Sequence, residues 1–178
     1  MNPPRHPREE YGRWLFPVSA IVAWAAMLIA GVLPHTPATA AEAAFKPHYV
    51  SLRHATVNAR SGPGTRYPIA WVYKRSGMPV EALAEFDNWY KVRDVEGDEA
   101  WIHRRLLSSD RTGMILGATR ALRADPSEQS APVAYAEAGV VAKILSCRSQ
   151  WCRLSLQGRR GWVLRDQLWG TYANEEFN

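Results

Sequence analysis

From Tyr49 onward the chain alternates apolar and polar positions, with turn-forming residues recurring at intervals of roughly 8 to 12 residues. Successive side chains on a strand point to opposite faces, so this alternation predicts short strands with one face buried. No stretch after residue 49 keeps helical periodicity for long. The segment from Ala131 to Val141 is Ala-rich, but it contains Pro132 and Gly139, which break a helix, and strands are predicted there too.

The pattern then repeats. Arg60 recurs as Arg123, Pro68 as Pro132, Ala70 as Ala134, Gly77 as Gly139 and Leu83 as Leu145. Trp89 recurs as Trp151, Gly97 as Gly158, Trp101 as Trp162 and Leu107 as Leu168, and the offset drifts only from 64 to 61. Solenoid and propeller repeats have periods of about 20 to 50 residues, so this longer period indicates two duplicated domains. The expected organisation is a first domain over 49–109, a linker over 110–118, a second domain over 119–172 and a tail over 173–178. The fold class is all-β, with two small barrels in tandem, each too short to hold a large core.

The first 40 residues have a different character. Arg5, Arg8 and Arg13 precede an apolar run from Trp14 to Leu33, and Ala38-Thr39-Ala40 places small residues ahead of a cut. This order predicts an export signal over 1–40, followed by a linker over 41–48. The run over 14–33 is also long enough to span a bilayer, so a retained inner-membrane anchor is the alternative to cleavage. Either way the protein is expected outside the cytoplasm, periplasmic or secreted.

Charge narrows the partners. The chain has 22 Lys and Arg against 17 Asp and Glu, a net charge of +5. Setting aside Arg5, Arg8, Arg13, Glu9 and Glu10 leaves +4. The basic residues are scattered, adjacent only at Lys74/Arg75, Arg104/Arg105 and Arg159/Arg160, which does not read as a nucleic-acid footprint. A mild excess of this kind suits anionic envelope polymers or lipid head groups.

Particular strings then point to a family. Val57-Asn-Ala-Arg-Ser-Gly-Pro-Gly-Thr65, Tyr67-Pro68, Asn88-Trp-Tyr-Lys-Val92 and Ala100-Trp101-Ile102 resemble the bacterial SH3-like domain, SH3b. With Ile69-Ala-Trp-Val-Tyr73, Pro79-Val-Glu81, Ala84 to Trp89 and Leu168-Trp-Gly170, the chain after residue 48 is similar to exported tandem SH3b proteins of Gram-negative bacteria. The second copy departs from the pattern: it carries Asp125-Pro126-Ser127 where the first has Gly-Pro-Gly. The resemblance implies SH3-like barrels that bind peptidoglycan peptides or an envelope protein without catalysis. A structural, architectural periplasmic protein anchored in the inner membrane, with no peptide ligand, is the alternative, and a murein hydrolase a distant one.

Catalysis would need a nucleophile beside a base, and Cys147, Cys152, His48, His54 and His103 sit in no recognisable nucleophile motif. The three histidines read as solvated. Cys147 and Cys152 fall in a predicted hairpin, opposite each other, with Cys147 sharing a face with Leu145 and Cys152 with Leu154. That register favours a disulfide, with free thiols or a metal site as the other readings. No metal or cofactor is expected. Arg60 and Arg123 are expected to brace the loop that follows each first strand.

Strand parity nominates a ligand site. Tyr90 and Val92 take one face, leaving Trp89 and Lys91 the other; Ala100 and Ile102 point in, leaving Trp101 and His103 out. The same count sets Trp151 and Trp162 outward in the second copy, with Leu154 and Val163 inward. Two exposed tryptophans on one surface would mark a binding platform, unless a packed partner or a bulge buries the rings. The resemblance adds that aromatics near these positions line the groove, with Tyr67 a further candidate.

Overall fold

The structure is a computed structural model and describes residues 44–177. The expected export signal over 1–40, with its apolar run over 14–33, lies outside the described residues, as do the first residues of the 41–48 linker. Among the described residues there is no α-helix, only strands and two short 3-10 turns, Arg104–Leu106 and Arg165–Gln167.

The strands form two seven-stranded antiparallel sheets of the same plan. The first holds β1 (His48–Leu52), β2 (Val57–Arg60), β3 (Ile69–Tyr73), β4 (Pro79–Phe86), β5 (Trp89–Arg93), β6 (Glu99–His103) and β7 (Leu107–Ser108), in the order β3-β2-β6-β5-β4-β1-β7. The second holds β8 (Thr112–Ile115), β9 (Arg120–Arg123), β10 (Pro132–Ala136), β11 (Val141–Arg148), β12 (Trp151–Leu156), β13 (Arg159–Leu164) and β14 (Leu168–Trp169), in the order β10-β9-β13-β12-β11-β8-β14. Each curls into a small barrel around its own apolar cluster, left open between the first and last strands of that order. Val50, Leu52, Val57, Val80, Val92 and Ile102 fill the first, and Ile115, Leu122, Ile144, Leu154 and Val163 fill the second.

The duplication is therefore real, but three of its expected details change. The segment 110–118 is not a linker: it carries β8, which pairs with β11 and β14 and supplies the second sheet with the strand that β1 supplies to the first. The register also shifts one equivalence. Arg60 lies opposite Ile69 and Arg123 opposite Pro132, so Ile69 corresponds to Pro132 and Trp71 to Ala134, rather than Pro68 to Pro132 and Ala70 to Ala134. Finally, the tail over 173–177 packs on the second barrel. Phe177 bridges Cys147, and the Glu175 carboxylate takes both terminal nitrogens of Arg111, at 2.8 Å for Nη2.

Each barrel carries matching irregularities. One extra residue interrupts the pairing of β4 with β5 at Leu83 and of β11 with β12 at Leu145. Such a bulge reverses side-chain parity beyond it. Cys147 therefore shares the core face with Ala142 and Ile144 rather than with Leu145. It lies opposite Cys152, and the two form a disulfide with Cα atoms 4.1 Å apart, buried in the second core.

The two barrels meet along β1 and β4 on one side and β8 and β14 on the other. Tyr49 packs edge-on to Trp169, centroids 5.3 Å apart, and against Tyr172 at 4.9 Å. Trp169 Nε1 donates to the Pro79 carbonyl at 3.2 Å, and Thr112 Oγ1 donates to the Gly77 carbonyl at 2.7 Å. Glu81, only 5% exposed, accepts from the Tyr172 hydroxyl at 2.9 Å through one oxygen and from Arg93 Nη2 at 2.6 Å through the other. Gly170 closes the seam: its φ is 118°, and a Cβ there would stand 2.4 Å from the Thr112 carbonyl oxygen and 3.2 Å from Pro79 Cβ. The aromatics packed between the barrels are thus Tyr49, Trp169 and Tyr172, none of the nominated ligand residues.

Candidate functional site

Pairing fixes the faces of the two hairpins. Lys91 lies opposite Trp101 and Trp89 opposite His103, while Tyr90 faces Ile102 and Val92 faces Ala100. In the second copy Arg153 lies opposite Trp162 and Trp151 opposite Leu164. All four tryptophans therefore stand on the face away from the core, as alternation predicts. They do not form wet two-ring platforms, however. Trp89 is 9% exposed and Trp162 8%, while Trp101, Trp151 and Tyr67 are half-buried.

Neighbouring side chains cover this outer face. Trp89 packs edge-on against His103, centroids 5.2 Å apart. Trp162 has the guanidinium groups of Arg148 and Arg153 each 6.0 Å from its ring centre, a cation–aromatic arrangement that hides the ring while the charges stay wet. On their other flank Trp101 faces Arg60 and Trp162 faces Arg123.

Those two arginines do brace loops, and in the same way. Arg60 Nη1 donates to the Tyr67 carbonyl and Arg123 Nη1 to the Ser130 carbonyl, both at 2.7 Å and both seven residues along the chain. What the loops present differs. In the first barrel the Tyr67 ring lies so close over Gly62 that a Cβ there would come within 2.5 Å of it. In the second barrel the matching position is Ser130, whose hydroxyl accepts from the Asp125 backbone N–H at 2.9 Å.

The second barrel has an open space beside this loop, reached by Glu128. A cavity of about 310 Å³ is walled by Trp151, Leu164, Arg120, Arg123, Glu128 and Gln167. A larger one of about 660 Å³ shares Glu128 and Leu164 with it and runs on past Gln150, Arg165, Thr171 and Asn174. Together they form a groove with an indole wall, the guanidinium groups of Arg120, Arg123 and Arg165, and the carboxylates of Glu128 and Asp166. On the first barrel a cavity of about 220 Å³ lies instead beside Tyr90, Arg104 and Leu107, away from Trp89, Trp101 and Tyr67. The five nominated aromatics are therefore not gathered into equivalent sites, and Trp151 alone among them lines either groove cavity.

Sequence reading passed over Arg165, which shapes the far end of the groove. It is 7% exposed; its Nε donates to the Ser149 carbonyl at 3.0 Å, and its Nη1 to the Tyr172 and Glu175 carbonyls at 2.7 and 2.6 Å. Its Nη2 has no hydrogen-bond partner among the described residues. Its counterpart Arg104 is exposed, pairing with Glu85 and lying over Tyr90, so only the register of the repeat marks the position. Burial raises the Glu175 carboxyl, but the hydrogen bonds from Arg111, the Tyr172 N–H and Thr171, with the Arg111 charge, outweigh it and hold the group below the usual carboxylate range. The histidines are not all simply solvated: His103 packs on Trp89 and caps the 3-10 turn by accepting from the Arg105 N–H, and His48 packs on Phe45 and Tyr90. The two cysteines hold each other, leaving no free thiol among the described residues.

No curated protein matches the chain. Among solved structures it is similar to NlpC1 from Trichomonas vaginalis, at 18% identity over 71% of this chain and 46% of that one, with a TM-score of 0.32. NlpC2 from the same organism matches at 18% identity over 73% and 50%, TM-score 0.33. An NlpC/P60 family protein from Bacillus cereus matches at 12% over 67% and 55%, TM-score 0.32. The chain thus spans about half the length of these structures. The family model for the bacterial SH3 domain matches twice, over residues 53–109 and 117–170, one match for each barrel. On that double match, which takes in both barrels and most of the described residues, the chain belongs to the bacterial SH3 domain family.

Proposed function

We propose that the protein is a non-catalytic component of the bacterial cell envelope that binds cell-wall peptide in the groove of its second barrel. The observation that carries this is the open space beside Trp151, bounded by Arg120, Arg123 and Glu128. An indole wall gives a small apolar side chain a surface to rest on, the guanidinium groups take carboxylates, and Glu128 takes an ammonium. A murein stem peptide offers all three: methyl side chains, free carboxylates and the amine of its diamino acid. Membership of the bacterial SH3 domain family is consistent with a cell-wall ligand. The basic and apolar order of the first 40 residues supports export to the periplasm.

Co-sedimentation with purified sacculi tests this reading. Binding that is retained by Trp101→Ala but falls at least several-fold in Trp151→Ala, with native circular dichroism in both, supports the second-barrel groove. Equal binding by wild type and Trp151→Ala, or none by wild type, argues against it. A second, architectural reading draws on the seam of Tyr49, Trp169 and Tyr172, which makes a rigid spacer of the two barrels. It expects no sacculus binding by the wild-type protein.

A further inference from the structure

The first barrel carries an unguarded edge. Strand β3 is the last strand of its sheet and pairs only with β2 among the described residues. Its sequence is Ile-Ala-Trp-Val-Tyr, and its first four residues are exposed, Ile69 at 47% and Trp71 and Val72 at 45% each. Edge strands are ordinarily protected by an in-strand Lys, a Pro or a charge that prevents pairing with another chain. No Lys, Pro or charge occurs from Ile69 to Tyr73; a bulge at Ala70 breaks the ladder near its start, and from Trp71 to Tyr73 the outer backbone donors and acceptors lie open beside large apolar side chains.

Charge selects the occupant. Between Ala44 and Val80 the chain has no Asp or Glu, but it has Lys46, Arg53, Arg60, Arg66, Lys74 and Arg75. Arg66 precedes β3 and Lys74 and Arg75 follow it, all three exposed. The carboxylates of Asp94, Glu96 and Asp98 act on the Tyr73 hydroxyl at the strand's end. Asp94 is already engaged, accepting from that hydroxyl at 3.0 Å and from the Glu96 and Asp98 N–H groups. A second copy of the chain is a poor occupant: antiparallel pairing of two β3 strands about Trp71 brings Arg66 of one copy within one position of Arg75 of the other. The matching edge strand β10 lacks these features, since it begins with Pro132 and is flanked by Glu128 and Glu137.

We propose that the free edge of β3 is a docking site for an extended segment of a partner protein, apolar at its centre and acidic at both ends, which joins the sheet as an added strand. Backbone pairing supplies affinity, Trp71 and Val72 flank the added strand, and Arg66 and Lys74 select its acidic ends. This site lies on a different barrel from the proposed cell-wall groove.

The test uses the full chain and a fluorescent synthetic peptide alternating Val and Thr between paired Asp residues, with anisotropy as the readout. The acid-flanked peptide is expected to bind. Methylating alternate backbone nitrogens of the peptide, which removes strand pairing and keeps its side chains, should weaken binding at least about tenfold. Replacing the flanking Asp by Lys should do the same, as should Arg66→Ser with Lys74→Ser in the protein, while Trp151→Ala leaves this binding unchanged. No binding up to about 1 mM, the weak end of the affinity scale, overturns the proposal. So does equal binding by the backbone-methylated peptide, a result that does not depend on any variant folding.

Discussion

Replacing Tyr172 by Phe removes one oxygen from the seam between the barrels and tests whether that seam stabilises the fold. The Tyr172 hydroxyl donates to Glu81 Oε1 at 2.9 Å, and Glu81 is 5% exposed. A hydrogen bond to a charged group contributes about 1.5–3 kcal/mol, and a buried acceptor left without its donor loses that contribution. Arg93 still serves the other oxygen, but its side chain is 42% exposed and solvent screens the pair, so it compensates little. The expected loss is about 1–2 kcal/mol at neutral pH, read as a lower urea midpoint with unchanged slope. Tyr135→Phe, which alters a tyrosine 67% exposed, is the control and should change nothing measurable. The same seam predicts alkaline sensitivity. Burial first, and then the Glu81 charge, push the Tyr49 phenol up to about 12. Burial and the Glu81 hydrogen bond push Tyr172 up as well. A raised phenol pKa favours the neutral, folded form, so its stabilisation is complete below the unfolded value near 10 and is lost as pH rises from there through the folded value. For Tyr49 that is about 2–3 kcal/mol. A Tyr172→Phe midpoint equal to wild type, or Tyr49 ionising near 10 with the protein still native, would refute this account of the seam.

Replacing Cys147 and Cys152 together by Ala should cost roughly 2 kcal/mol or more in urea unfolding, because closing so short a loop is worth about that much on chain entropy and the pair is buried in the second core; a variant as stable as wild type contradicts this. Gly170→Ala should lower the melting temperature by several degrees and expose the seam to hydrogen exchange, since the added Cβ meets the Thr112 carbonyl and the backbone φ is unfavourable for alanine. Glu175 is held below its usual value, so its stabilisation is present above the unfolded value near 4.3 and is lost as pH falls through the folded one. Glu175→Gln should flatten the acid limb of the stability curve in that window, and an unchanged limb would exclude the Arg111 pair as its source.

Much of this architecture was readable because it is local or repeated. Alternation gave the strands, the recurrence of Trp89 as Trp151 and Trp101 as Trp162 gave the duplication, and parity put all four rings on the outer face. What parity cannot give is what covers a face. Trp162 is hidden by Arg148 and Arg153, and Trp89 by His103, through cross-strand neighbours set by register. The bulge at Leu145 likewise kept the cysteines inward for a reason different from the parity with Leu145. The groove was only partly legible. Trp151 could be nominated, but the groove beside it is completed by Glu128 of the loop after β9 and by a C-terminal segment fixed by Arg165 and Arg111. Contacts between residues so far apart in sequence leave no periodic trace, and the strand β8, four residues long beside Gly117, read as a linker for the same reason.

Calorimetric titration of the protein with a purified soluble muropeptide tests the central claim most directly. The account predicts binding to the wild-type protein and a loss of more than about 1 kcal/mol of affinity in Trp151→Ala, a cost typical of removing an aromatic anchor, with the barrels still folded. Unchanged affinity in that variant, or no binding by the wild-type protein, would contradict it.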